Sequence, residues 1–251
     1  MIRGFYAAAA GMLSGQRKID VISNNLANTS TAGYKAQSTI ESGCAEGALF
    51  RIESDRPGAQ LGAATLITAT ADAHIDFSQG FVEQTGRSLD VAIRGEGFFV
   101  VKSDTQGDIL TRNGNFSLND KRNLIIPGVG KVLGEGGREI TLKSADFVVG
   151  KDGKIYEDGK VTATLYIAVP SDSNHPEIFS EGLYKSSGSI KKAAADSYGI
   201  EQGALEASNV NVAKELSRLI AGQGHFQSCA QILRIYDRIN ELSANRIGSL
   251  D

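Results

Sequence analysis

The sequence predicts a mixed but mainly β protein: an all-β central domain of short antiparallel strands, carried between N- and C-terminal α-helices that form a coiled-coil-like assembly core. Three observations lead there. Between Ile2 and Leu26 the positions Ile2, Phe5, Ala9, Met12, Gln16, Ile19, Ser23 and Leu26 alternate in steps of three and four, the spacing of a coiled-coil seam. The same spacing returns near the other end, where Val212, Leu219, Phe226, Leu233 and Ile247 stand seven or fourteen apart, with Cys229 and Tyr236 between them. In the middle, short β-prone runs follow one another at close intervals, and 29 glycines against four prolines and no tryptophan supply many tight turns.

The first helix should stop near Leu26 to Asn28, because Asn24, Asn25 and Asn28 hydrogen-bond to local backbone more readily at helix ends than in helix interiors. Gly33 can then take the positive φ that turns the chain, and Tyr34 follows as a large anchor with a polar tip. Residues 1–36 therefore form the first part of the core. Residues 37–64, with scattered glycines and no sustained period, read as a linker or extended arm that takes its shape from its neighbours.

The central β domain is read as residues 65–204. Its strands are expected at LITAT (66–70), FVEQT (81–85), LDVAI (89–93), FFVVK (98–102), ILTR (109–112), NFSL (115–118), NLII (123–126) and KVLG (131–134). REITL, DFVVG, KIYE and one long strand VTATLYIAV (161–169) continue the series, and the stretch 179–189 adds one more. Asp152-Gly153 and Asp158-Gly159 flank KIYE as hairpin turns, so 146–169 reads as a three-stranded meander. Residues 190–204 read as a polar return. The C-terminal helix, in the last segment 205–251, has N-cap candidates in Ser208, Asn209 and Asn211, with Glu215 near its positive end and Arg234, Arg238 and Arg246 toward the other.

The net charge is −3, spread as +3 over residues 1–37, −6 over the middle and zero over 205–251. That is too mild for nucleic acid, which asks for a concentrated basic face. No stretch reaches the run of apolar residues that spans a membrane. The alanine-rich start is too short and weak for a cleaved leader, and the heptad register passes through it without a break.

Gly128-Val129-Gly130-Lys131 lacks the serine or threonine of a phosphate loop, and Gly95-Glu96-Gly97 lacks the third glycine of a dinucleotide fingerprint; both read as turns. His74, His175 and His225 show no ligand spacing, so neither metal nor cofactor is assigned. Cys44 and Cys229 make no disulfide framework, and Cys229 sits on the apolar helical seam. No catalytic residues are assigned, since none of the criteria for an active site is met.

Four motifs are more specific. SNNLANTSTAGYK (23–35) resembles the N-terminal signature of the bacterial flagellar rod and hook family. LDVAIRGEGFFVV (89–101) and LTRNGNFSLN (110–119) resemble its central β motifs, and GALEASNVNVAKEL (203–216) resembles the lead-in to its C-terminal helix. The motifs stand in the family's order. The resemblance implies an axial protein of the basal body, exported unfolded by the flagellar type III apparatus without a cleaved leader and polymerised in the periplasm into a helical drive shaft. The partners it implies are copies of itself, the neighbouring rod and hook proteins, the export apparatus and the rings around the rod.

Within the family the chain is most similar to the proximal and distal rod proteins, its length leaving little room for the outer domain of a hook protein. A hook or other axial paralogue is the alternative within the family, and a soluble coiled-coil adaptor the alternative outside it. Expected at the assembly interface are Ile2, Phe5, Met12, Ile19 and Leu26, the turn residues Asn25, Asn28, Gly33 and Tyr34, the lead-in residues Ser208, Asn209 and Asn211, and Val212, Leu219, Phe226, Leu233 and Tyr236. One departure stands out: AGQGHFQS (221–228) replaces the family's Gln-Arg-aromatic segment, and Gly222 and Gly224 each weaken a helix by ~1 kcal/mol relative to Ala.

Overall fold

The computed structural model describes residues 2–50, 60–103, 107–144, 147–170, 176–185, 190–194 and 196–248. The chain divides into two compact units. The first comprises Met1–Ala27, Gln37–Asp76 and Asn211–Asp251, and the second Asn28–Ala36 and Phe77–Val210.

The first unit holds two helices, α1 (Ile2–Ala27) and α2 (Val212–Gly248), and a two-stranded antiparallel ribbon of β1 (Gln37–Phe50) and β2 (Gln60–Ile75). Gln37 lies opposite Ile75 and Phe50 opposite Gln60. Of the three N-cap candidates Asn211 is the one used: its Oδ1 accepts from Lys214 N at 3.0 Å, satisfying one of the amides a helix start leaves open. The stretch read as a linker thus contributes β1 and the beginning of β2, and LITAT lies within β2, in the unit of the helices. Backbone pairing between two glycine-containing strands leaves no apolar period to read.

The helices pair with one another, and the stripe α1 uses is one position earlier than the seam read from sequence. Gly4, Ala8, Gly11 and Gly15 face α2 in place of Phe5 and Met12, whereas the predicted Ile19 does reach α2, its Cγ1 3.5 Å from where a Cβ on Gly222 would stand. A Cβ added at Gly4 would stand 1.9 Å from Tyr236 Oη, at Gly11 3.0 Å from Cys229 Sγ, and at Gly15 3.5 Å from Phe226 Cβ. The α2 side of the contact is the predicted one: Leu219, Phe226, Leu233 and Tyr236 are half-buried and Cys229, a free thiol, is buried. The sequence reading followed the large apolar residues, whereas close backbone approach selects the small ones. Met12, Ile19 and Leu26 are half-buried beside that stripe, while Phe5, Tyr6 and Leu13 remain exposed.

The second unit is built on β5 (Phe98–Ser103), whose first four residues are all buried. One edge of β5 pairs with β6 (Gly107–Thr111); the other is shared by β9 (Gly130–Gly134) and β14 (Ile167–Pro170). Beyond β9, which also pairs with the short β10 (Arg138–Glu139), the sheet continues through β8 (Leu124–Ile126) to β7 (Ser117–Leu118), and beyond β6 through β16 (Leu183–Lys185) to β15 (Glu177–Ser180). Ile93, Phe99, Phe116, Leu142, Ile155 and Ile167 meet in its core, with Phe99 and Phe116 edge to face at 5.0 Å.

The predicted meander is present as β11 (Val148–Val149), β12 (Lys154–Glu157) and β13 (Lys160–Thr164). Asp158 and Gly159 both have positive φ, 48° and 74°, as a type I′ turn demands. The long strand VTATLYIAV is two strands, not one. At Leu165 and Tyr166 the chain leaves β12 for β5, the two amides donating to Gly153 O at 2.8 Å and Leu133 O at 3.2 Å.

The polar return contains β17 (Ile190–Lys192), β18 (Tyr198–Gln202) and the start of β19 (Ala204–Glu206). β18 pairs along β4 (Val91–Gly95), and β19 along β3 (Val82–Gln84). Their inward side chains are few and partly small, Ala193, Ile200 and Ala204, which conceals the alternation on which a strand reading depends.

Candidate functional site

Three of the four family-like motifs meet on a buried carboxylate in the second unit. Glu206, at the end of β19, receives Lys35 Nζ on Oε1 at 2.6 Å and Arg112 Nη1 on Oε2 at 3.2 Å. Gly80 N also donates to Oε1 at 2.9 Å, and Gly33 N donates to the Glu206 carbonyl at 2.7 Å. Lys35 has a second acceptor in Ser78 O at 2.7 Å, and Arg112 in Gly95 O at 2.8 Å, with its guanidinium 5.3 Å from the centre of the Phe98 ring. All three charged side chains are buried. Burial pushes the Arg112 guanidinium below its ordinary value, and the charge of Glu206 opposes that shift.

Around this latch the aromatic rings of Phe77, Phe98 and Tyr184 stack edge to face at 5.5 to 5.8 Å. Tyr184 Oη accepts from Lys35 N at 3.2 Å, and burial raises the phenol's pKa. Sequence reasoning passed over Lys35, Arg112 and Glu206 as ordinary charges. The available signal was that Lys35 and Arg112 are each the one charged residue of their motif; Glu206, which shares its motif with Lys214 and Glu215, gave none.

The structure gives the predicted turn and lead-in residues bonding partners within the chain. Asn25, fully buried, presents its amide to β1 like a neighbouring strand: Nδ2 donates to Gln37 O at 2.8 Å and Oδ1 accepts from Gln37 N at 2.9 Å. Asn28 Oδ1 accepts from Thr31 Oγ1 at 3.0 Å, and Asn209 Oδ1 from Ala36 N at 2.7 Å. Ser208 Oγ accepts from Val210 N at 3.3 Å, and Tyr34 is buried. Gly33 has φ 71°, and a Cβ there would lie 2.3 Å from the Arg112 carbonyl carbon. Gly33→Ala is therefore expected to lower stability by at least ~2 kcal/mol, from the strained φ and the backbone it would strike. Urea denaturation of the full chain measures it.

The latch is closed to solvent, and its three charges are met by partners within the fold. Among the described residues no group of three His, Cys, Asp or Glu is placed to hold a metal ion. His175 and the side chain of Cys44 lie outside the described residues. Among the described residues no helix is long and apolar enough to cross a membrane.

Exposed large apolar side chains gather on the two helices, and others, Phe81, Val148 and Val161 among them, lie on the second unit. On α1, Tyr6 is 59% and Leu13 65% exposed. On α2, Val212, Leu216 and Ile220 are exposed in the N-terminal half, and Ile232, Ile235, Ile239 and Leu242 in the C-terminal half. At ~100° per residue Val212 continues the line through Leu219, Phe226 and Leu233 that meets α1, while Leu216 and Ile220 fall on one side of it and the C-terminal group on the other. Sequence reasoning found the line and not the flanks, because it stopped at one stripe per helix. Of the residues expected at an assembly interface, Phe5, Asn211 and Val212 are exposed; the side chain of Ile2 lies outside the described residues.

Comparison with known proteins follows the same segments. Residues 5–35 match the family described as flagella basal body rod protein, and residues 92–182 the flagellar hook protein FlgE/F/G D1 domain. Residues 201–246 match the flagellar basal body rod FlgEFG protein C-terminal family. The chain is 31% identical over 262 residues to the flagellar basal-body rod protein FlgG of Bacillus subtilis, covering 95% of this chain and 97% of that one. It is 27% identical over 255 residues to the rod protein FlgF of Caulobacter vibrioides, with both chains covered in full. To the FlgF of Salmonella typhimurium it is 29% identical over 243 residues, 92% of each chain. A chain matched from its first helix to its last by rod proteins, with its buried latch formed from the matched segments, belongs to the flagellar basal-body rod family.

Proposed function

We propose that this axial structural component of the bacterial flagellar basal body enters the rod through its terminal helices, which pack against those of neighbouring copies. The observation that carries this reading is the three outward apolar groups on a helix pair already in contact along its inner line: one on α1 and two on opposite flanks of α2. Soluble monomers rarely leave such surface uncovered. Different flanks engage different neighbours, and a contact between unlike patches that does not close on itself builds a helical polymer. Torque from the motor then passes to the hook through many such contacts in parallel.

In this reading the latch and the Asn25 pairing hold each subunit in shape, and Phe5, Tyr6, Leu13 and the α2 flanks make the contacts. On this proposal the chain lies in the periplasm, is delivered by the type III export apparatus, and has the adjoining rod and hook proteins as axial neighbours. The test is recovery of hook-basal bodies from cells carrying an epitope on a surface turn of the second unit. The chain is expected in the rod fraction at a fixed ratio to the hook protein; its absence from intact basal bodies would refute the proposal.

A further inference from the structure

The first unit contains a cavity of about 390 Å³ between α1, α2 and the start of β1. Two glycines facing each other's helices, Gly15 and Gly222, line it together with Ile22, Lys18 and Arg218. Glu215 also lines it, but that carboxylate is occupied by Arg218 Nη1 at 2.9 Å and Asn25 Nδ2 at 3.4 Å. Gly222 leaves room there: a Cβ would meet only Ile19 Cγ1, at an ordinary 3.5 Å. A mid-helix glycine weakens α2, so the space it opens calls for an occupant.

We propose that the occupant is Tyr6 of a second copy, an inference that rests on the rod reading above. Tyr6 and Phe5 form an edge-to-face pair, ring centres 6.0 Å apart, near the free end of α1, and Tyr6 is largely exposed. The chemistry is complementary. An aromatic body suits a glycine-lined, largely apolar recess, its π-face suits the cations Lys18 and Arg218, and its hydroxyl suits the polar groups of the lining. Leu13, the other exposed knob of α1, offers neither π-face nor hydroxyl.

Within one chain Tyr6 cannot reach the cavity. Gly4 stands beside Tyr236 and Gly15 beside Phe226, so Tyr6 lies near the far end of the pair from Gly222. About thirteen residues of helix separate the two levels, ~20 Å at 1.5 Å per residue. Docking of Tyr6 in the next copy therefore shifts successive subunits by that distance along the helices, in an open head-to-tail contact.

The experiment places cysteines by Tyr6→Cys and Ala221→Cys in a full chain whose native Cys44 and Cys229 are replaced by serine. It is expressed in cells lacking their own copy, and isolated basal bodies are oxidised. Because ~20 Å exceeds the reach of a disulfide within one subunit, a ladder of dimers and higher multimers is expected on a non-reducing gel. Rods that form without the ladder, or an equal ladder with Leu13→Cys in place of Tyr6→Cys, would overturn the proposal. Absence of the cysteine-free parent from basal bodies removes the rod reading and this inference with it.

Should the cysteine pair itself block assembly, Gly222→Leu decides. It is expected to raise the melting temperature of the isolated chain while cutting incorporation into rods more than tenfold. Unchanged incorporation with the cavity filled overturns the proposal.

Discussion

Replacing Glu206 by alanine is expected to destabilise the second unit by about 3–5 kcal/mol, the range observed when one partner is removed from a buried ion pair. The carboxylate answers two buried cations, Lys35 and Arg112, and accepts from Gly80 N as well. Its loss leaves the Lys35 ammonium with Ser78 O, and the Arg112 guanidinium with Gly95 O, as their acceptors among those described above. Neither cation can escape to water without opening the packing around Tyr34 and Tyr184, both buried. The urea midpoint of the full chain reads the effect, and a shift equivalent to less than ~1 kcal/mol, the worth of an exposed pair, would show that the latch carries little energy. A control separates lost pairing from general damage: Lys35→Met, Arg112→Met and Glu206→Leu together remove all three charges. That variant should recover much of the stability lost by Glu206→Ala, because an apolar replacement leaves no charge stranded.

The second large effect concerns assembly. Phe226→Asp is expected to abolish rods and swimming while the melting transition of the second unit stays in place. Phe226 is half-buried beside Gly15, on the line where α2 meets α1. Full burial of a phenylalanine is worth ~3–5 kcal/mol against alanine, so half of one lost here is ~2 kcal/mol, before the cost of a carboxylate at an apolar contact. The unit it belongs to has few other long-range supports for α2, whereas the second unit has its own core around Phe99 and Ile155. Normal rods from this variant would mean that the helix pair is not the element that assembles.

Much of this architecture was readable because it rests on periodicity and turn chemistry. The α2 line through Leu219, Phe226 and Leu233, the Asp158-Gly159 turn and the run FFVV each advertise their environment in a few residues. Other features rest on contacts that no local pattern announces. The α1 contact uses Gly4, Gly11 and Gly15, which carry no hydrophobic signal, so the large neighbours Phe5 and Met12 were taken for the seam. β18 is defined by its partner β4 more than by its own sequence, and the latch draws on positions 35, 112 and 206. The terminal helices meet as a pair within the chain, and in the proposed rod it is their outer faces that other copies cover.

Those outer faces give the most direct measurement. Hydroxyl-radical labelling of Tyr6, Leu13, Ile220 and Ile235 can be compared between dilute monomer and assembled rod, with buried Phe99 as the reference for an unchanging site. Assembly through the terminal helices predicts a several-fold fall in labelling at the four helical positions and none at Phe99. Equal labelling of the helices in both states would contradict it.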